Sequence, residues 1–125
     1  MTAEDLDKES FGDTPQMADA LVALVLAGKK TATSWAARHG ADTYLGKQRV
    51  IHDGQGRPRA VIETVSLQRR RFCDVDSPFA AAEGEGDLSL ASWRREHQAF
   101  VEREGAFSET MELYCERFRL VEILD

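Results

Sequence analysis

Residues 26–35 read LAGKKTATSW. An apolar, helix-like run stops at a glycine, and two ammonium groups, three hydroxyls and an indole follow. A structural reading covers much of this: lysines just past a helix C-terminus complement its dipole, and threonines suit strands. A chemical reading goes further. Side chains alternate along a strand, so Thr31, Thr33 and Trp35 share one face. Two hydroxyls and an indole on an interior face make a pocket wall, and the indole can stack on a base or another flat ring. Parity sends Lys30 to the opposite side unless it precedes the regular strand. Its neighbour Lys29 adds a second positive charge.

Two further stretches carry carboxylates. In VIETVSL, Val61, Glu63, Val65 and Leu67 share a strand face, and three of the four are apolar, so that face is expected to point inward. A carboxylate there must meet a donor or a cation. It forms either an ion pair with a neighbouring strand or a pair with Lys30 at a barrel mouth. In EGEGD, Glu83, Glu85 and Asp87 alternate with glycines, which let a backbone approach a ligand closely or let a loop move. These acids read either as a solvated loop with Asp87 capping the next helix, or as the source of a general base for acyl chemistry. Calcium-loop spacing is lacking, and Cys73 and Cys115 have no CxxC or Cys/His partner, so no metal and no other cofactor is expected. Both cysteines read as buried thiols. His97 reads as a satisfied core residue. Nucleophile-elbow, P-loop and zinc-deaminase signatures are absent.

The elements that must position these groups follow from periodicity. A helix is expected from about Pro15 to Ala27, with Thr14 as N-cap and Gly28 at the left-handed position that ends it. Met17, Leu21, Leu24 and Val25 form its apolar face. TATSW begins a strand, and 36–48 reads as a loop with one short turn of helix. Residues 49–53 and 59–72 read as a hairpin around DGQGRP. An acidic loop with a short helix near Phe79–Ala82 leads to a second helix from about Leu88 to Arg103, capped by Asp87 or Ser89. Leu90, Trp93, His97, Phe100 and Val101 form its buried face, and Gly105 ends it. The last strand, MELYCERFRLVEIL, changes apolar parity near Glu116, which predicts a bulge there. The order favours α+β rather than regular βαβ alternation.

The length suits one domain, 1–125, with 1–13 a loosely held start. No apolar run reaches the roughly 18–20 residues of a membrane span, so no membrane is expected. The acidic N-terminus lacks the basic start of a secretion signal, which leaves a cytoplasmic location as the default. A net charge of −6 argues against a protein that coats nucleic acid. It leaves room for a nucleoside ligand or a local basic groove at Lys29, Lys30 and the run Arg69, Arg70, Arg71.

The stretch LVLAGKKTATSW resembles the ASCH family, small domains of the PUA-like β-barrel superfamily. FGD at 11–13, VIET at 61–64, AEGEGDLSLASWRREH at 82–97 and CERFRLVE at 115–122 extend the resemblance to a stand-alone bacterial branch over nearly the whole chain. The resemblance implies an α+β fold: a mixed, partly open β-barrel flanked by helices, with a cleft near the lysine junction. It implies RNA- or nucleoside-related roles. Some members resemble metal-independent amidohydrolases that remove acetate from N4-acetylcytidine, and in those a lysine, a threonine three residues later and a glutamate form the site. The first two correspond to Lys30 and Thr33; Glu85 is the first choice for the third and Glu83 the second. On this reading Thr33 supplies the nucleophilic oxygen or orients water. Lys30 takes its proton or holds the oxyanion, Glu85 serves the leaving amine, and Trp35 and Arg38 hold the ring. Two alternatives remain: an RNA-binding or ribonuclease module with a basic cleft, and a ligand-sensing domain without turnover. A monomer or a homodimer is expected.

Overall fold

The computed structural model describes residues 6–124. The elements are β1 (Asp7–Glu9), α1 (Pro15–Leu26), β2 (Ala32–Ala36), β3 (Gln48–His52), β4 (Pro58–Arg71), α2 (Ser77–Glu83), α3 (Leu90–Glu104) and β5 (Glu112–Ile123). The strands form one curled sheet in the order β1-β3-β4-β5-β2, with β1 parallel to β3 and the other pairs antiparallel. β1 and β2 are its free edges, so the sheet is an α+β half-barrel of the PUA-like kind rather than a closed one. Of the start at 1–13 expected to be loosely held, residues 1–5 lie outside the described residues, Asp7–Glu9 pairs with β3 as β1, and Phe11 packs into the core.

Two apolar clusters lie on opposite faces of the sheet. One packs Leu21, Val22 and Val25 of α1 against Ile51, Ala60, Ile62 and Phe118. The other packs Phe79, Ala80 and Trp93 of α2 and α3 against Ala32, Phe72, Leu113 and Cys115. β5 feeds both: Leu113 and Cys115 point to one cluster and Phe118 to the other. This explains the parity change near Glu116 without a bulge at that residue. The irregularities lie elsewhere, at Val121 of β5 and at Val65 of β4.

The β4 expectation holds at Val61, which is buried, and fails further along: Ala60, Ile62 and Thr64 of the opposite face are sealed, whereas Glu63 is half-buried and Val65 is 48% exposed. Thr64 turns inward because a buried acid awaits it: its Oγ1 lies 2.7 Å from Glu116 Oε2 and 2.6 Å from Thr43 Oγ1. Arg49 completes this network, placing Nη2 2.6 Å from Glu116 Oε2 and Nη1 2.6 Å from Glu9 Oε2. Cys115 is buried, and burial pushes its thiol up to about 12. Cys73 is exposed, contrary to expectation, because it sits on a 3-10 turn at the end of β4.

Candidate functional site

The site begins where α1 stops. Thr14 Oγ1 accepts from Met17 N at 3.1 Å and starts the helix; Gly28, at φ +76°, reverses the chain so that Lys29 N and Lys30 N both donate to Leu24 O. Lys30 therefore lies before β2, outside its alternation. The junction is pinned from the other side by α2. Thr31 N and Thr31 Oγ1 both donate to Ala82 O, and Gly84 presses against the Lys29 carbonyl. A Cβ on Gly84 would sit 2.3 Å from that oxygen, and Gly84 has φ +75°. Only glycine fits this crossing of loop and helix end.

Lys30 is 2% exposed. Its Nζ lies 2.9 Å from Ala32 O, 3.3 Å from Glu83 O, 3.0 Å from Glu85 Oε2 and 3.6 Å from Glu83 Oε1, with the Phe11 ring 5.3 Å away. A charged amine has three donors, and these acceptors use all of them. Glu83 is equally sealed. Its Oε2 accepts from Ser34 Oγ at 2.8 Å and from Trp93 Nε1 at 2.6 Å, and its Oε1 faces His97 Nε2 at 3.4 Å. Burial works to push the Glu83 carboxyl up, but His97, Lys30 and Trp93 together outweigh it and hold the group below its ordinary value. Glu85, by contrast, keeps a third of its side chain in solvent.

This cluster walls one lobe of a cleft of about 340 Å³, lined by Lys30, Thr33, Glu83 and Glu85. A second lobe of about 290 Å³ continues past Trp35 to Arg49. Phe11, Gly12, Thr33, Ser34, His97 and Phe100 border both lobes. A broader hollow of about 540 Å³ lies beyond Gly12, near the β3–β4 turn. Its acids are already engaged, Asp53 by Arg57, Arg59 and the backbone of Gln55, Glu9 by Arg49 and Asp13 by Arg103, so the Lys30 cleft is the chemically equipped one.

The remaining residues singled out above are placed as follows. Trp35 borders the second lobe, packs against Tyr114 with the rings 5.7 Å apart and tilted by 34°, and donates its indole N–H to Gly40 O. Lys29 and Thr31 are exposed at the junction. Arg38 borders neither lobe; it reaches Ala106 O and Glu104. Asp87 is exposed and accepts from Ser89 N, while Ser89 itself caps α3. Glu63 does not meet Lys30, because its strand face points away from the cleft; it pairs with Arg119 of β5 and accepts from Gln48 of β3. Arg69, Arg70 and Arg71 are each paired, with Glu112, Asp76 and Asp74. The structure adds Ser34, Trp93 and His97. Trp93 and His97 are four apart and share one helix face, a spacing that reads equally well as core. Among the described residues there is no cluster of three or more His, Cys, Asp or Glu suited to a metal, and no helix long and apolar enough to cross a membrane.

Comparison with known proteins agrees with this architecture. The ASCH domain family model matches residues 7–122. The structure of an ASCH domain from Lactobacillus crispatus JV V101 superposes with a TM-score of 0.86 at 30% identity, covering 92% of this chain and 79% of that one. A protein of Enterococcus faecalis V583 superposes at 0.83 with 31% identity, over 95% of this chain and 82% of that one. A mutant form of an ASCH protein from Zymomonas mobilis, at 12% identity and a TM-score of 0.53 over 96% of this chain and 73% of that one, shares the fold. No curated protein matches. With a half-barrel that carries the lysine junction over its cleft and a family match across nearly its whole length, the chain belongs to the ASCH domain family, which is generally RNA-related.

Proposed function

We propose that this ASCH protein is an amidohydrolase acting on an N4-acylated cytidine-type nucleoside. The observation that carries the reading is the sealed amine of Lys30 at the wall of a cleft that Thr33 borders and into which the partly exposed Glu85 reaches. A fixed positive charge in a water-poor wall stabilises a developing oxyanion far better than the same charge in water. Lys30 acts on that charge through space, since its three N–H groups stay on two carbonyls and Glu85, which hold it in place. The attacking oxygen belongs to Thr33 or to a water that Thr33 orients. Glu85 takes the proton from that oxygen as the bond to the acyl carbon forms. When the tetrahedral centre collapses and the C–N bond breaks, Glu85 returns the proton to the departing N4 amine; where Thr33 itself attacked, a water deprotonated by Glu85 then cleaves the acyl-Thr33 ester, and the proton returns to the Thr33 oxygen as the acid leaves. Trp35 and Phe100 supply flat walls for the base.

Charge favours a nucleoside over a polynucleotide. Acids outnumber the lysine and arginine cations at both lobes, Glu83, Glu85 and Glu96 against Lys30 and Arg103 at the first and Glu9, Asp42 and Glu104 against Arg49 at the second, which disfavours phosphates. The arginine run that would have served an RNA groove is neutralised pairwise by its own neighbours. The test is incubation with a panel of acylated nucleosides read by mass spectrometry, with Thr33→Ala as control. Release of the free acid and cytidine by wild type alone is expected; no product from any member of the panel removes the reading. A burst of the first product, absent when attack is by water, identifies a covalent Thr33 intermediate.

A further inference from the structure

One oxygen of Glu83 faces two cationic side chains. Lys30 Nζ lies 3.6 Å from Oε1 and His97 Nε2 lies 3.4 Å from it. The other oxygen is filled by Trp93 and Ser34, so Oε1 alone is left to divide. His97 is held by more than Glu83. Its Nδ1 lies 2.9 Å from Trp93 O, and its ring stacks on the Trp93 indole at 4.2 Å and 19°. Both ring nitrogens thus face acceptors, which favours the doubly protonated ring. Burial pushes the imidazole down, but the hydrogen bond and charge of Glu83 outweigh it and the net direction is up from 6.5. Lys30 and Glu83 are sealed, whereas His97 is 21% exposed and borders both lobes, so its proton exchanges with the cleft.

We propose that His97 is a positioning residue that sets, through Glu83, how far Lys30 is drawn from the cleft. The idea rests on the hydrolase reading only for its kinetic consequence. With His97 charged, Glu83 Oε1 is shared and Lys30 keeps its contact with Glu85 at the cleft wall. With His97 neutral, Oε1 falls to Lys30 alone, which moves toward Glu83 and away from a reacting oxygen. The two lobes that His97 borders also carry Glu85 from the α2–α3 loop, Glu96, Arg103 and Glu104 from α3, Glu9 from β1, Arg49 from β3 and His39 and Asp42 from the β2–β3 connection. Of these, Glu85 adds to the stabilisation of the charged ring.

NMR of selectively labelled protein follows the His97 ring and Lys30 Nζ through one pH titration. In wild type the ring is expected to titrate above 6.5, with the Lys30 signal moving in step. In Glu83→Gln the ring should titrate lower, and in His97→Gln the Lys30 signal should no longer move over that range. With N4-acetylcytidine, His97→Gln should lower kcat about tenfold, change KM less than about twofold and erase the alkaline limb of the kcat profile. A wild-type Lys30 signal indifferent to the His97 titration overturns the proposal, and that measurement needs no variant to fold. An alkaline limb that survives in His97→Gln also overturns it. If no acylated nucleoside is turned over while the two signals move together, the hydrolase reading falls and the linkage stands.

Discussion

Glu83 and Glu85 meet the same amine in different media. Glu83 is 2% exposed and Glu85 33%. Removing one partner of a buried ion pair leaves the other charged and desolvated, so Glu83→Ala is expected to cost about 3–5 kcal/mol in urea unfolding. Glu85→Ala leaves a contact that water can replace, and should cost less than about 1 kcal/mol while abolishing turnover. The pH dependence follows from the same groups. The Glu83 carboxyl is held below 4.5, so its contribution is present above that value and is lost as pH falls through the lowered one. The His97 imidazole is held above 6.5, so its contribution is complete below 6.5 and is lost as pH rises through the raised value. Glu9, raised by burial, opposes Glu83, while Asp53, held at about 2 against an ordinary 3.8, reinforces it toward acid. Thermal unfolding from about pH 3 to about pH 9 should therefore peak between the ordinary carboxylate and imidazole values. A melting temperature still climbing at the alkaline end would contradict the His97–Glu83 pairing.

Two glycines bracket the junction between α1 and β2, and they are expected to behave differently. Gly28 has φ +76° with nothing near a prospective Cβ, so Gly28→Ala should cost only the left-handed backbone, about 1–2 kcal/mol, with activity kept. Gly84 has the same backbone sign and a carbonyl 2.3 Å from the Cβ position, so Gly84→Ala must move the Lys29–Lys30 backbone or the end of α2. Its cost should exceed that of Gly28→Ala, and turnover per folded molecule should fall with it; equal effects in the two variants would show that the contact is slack. Strand β4 carries a separate expectation. Because each of Arg69, Arg70 and Arg71 already has a carboxylate, replacing all three by alanine should leave the salt dependence of any RNA binding unchanged, measured by fluorescence anisotropy.

At the scale of the molecule, the half-barrel is tied across its interior by charge as well as by apolar packing. Arg49 of β3 joins Glu9 of β1 to Glu116 of β5, and Thr64 of β4 adds a fourth strand. Glu116 is fully sealed and Arg49 nearly so. Glu116→Ala is expected to destabilise by about 3–5 kcal/mol, whereas Arg49→Met combined with Glu116→Leu should recover most of that loss, because the desolvation of both charges is removed together. A double variant as weak as the single one would mean that the network directs packing in a way an apolar pair cannot replace.

Local patterns were enough for the helices, the hairpin, the cap at Thr14, the glycine stop and the lysine junction, since each depends on residues a turn or a strand step apart. The GKKTATSW and EGEGD stretches also carried the resemblance from which the α+β half-barrel follows. Which face of β4 turns inward was decided by tertiary structure: Thr64 is buried because Glu116, far along the chain, needs its hydroxyl. The same holds for the site. α2 pins the Lys30 junction from the far side of the chain, and Glu83 meets His97 across two helices. Charge pairing of this kind acts through space between distant segments, so no periodicity in the sequence records it.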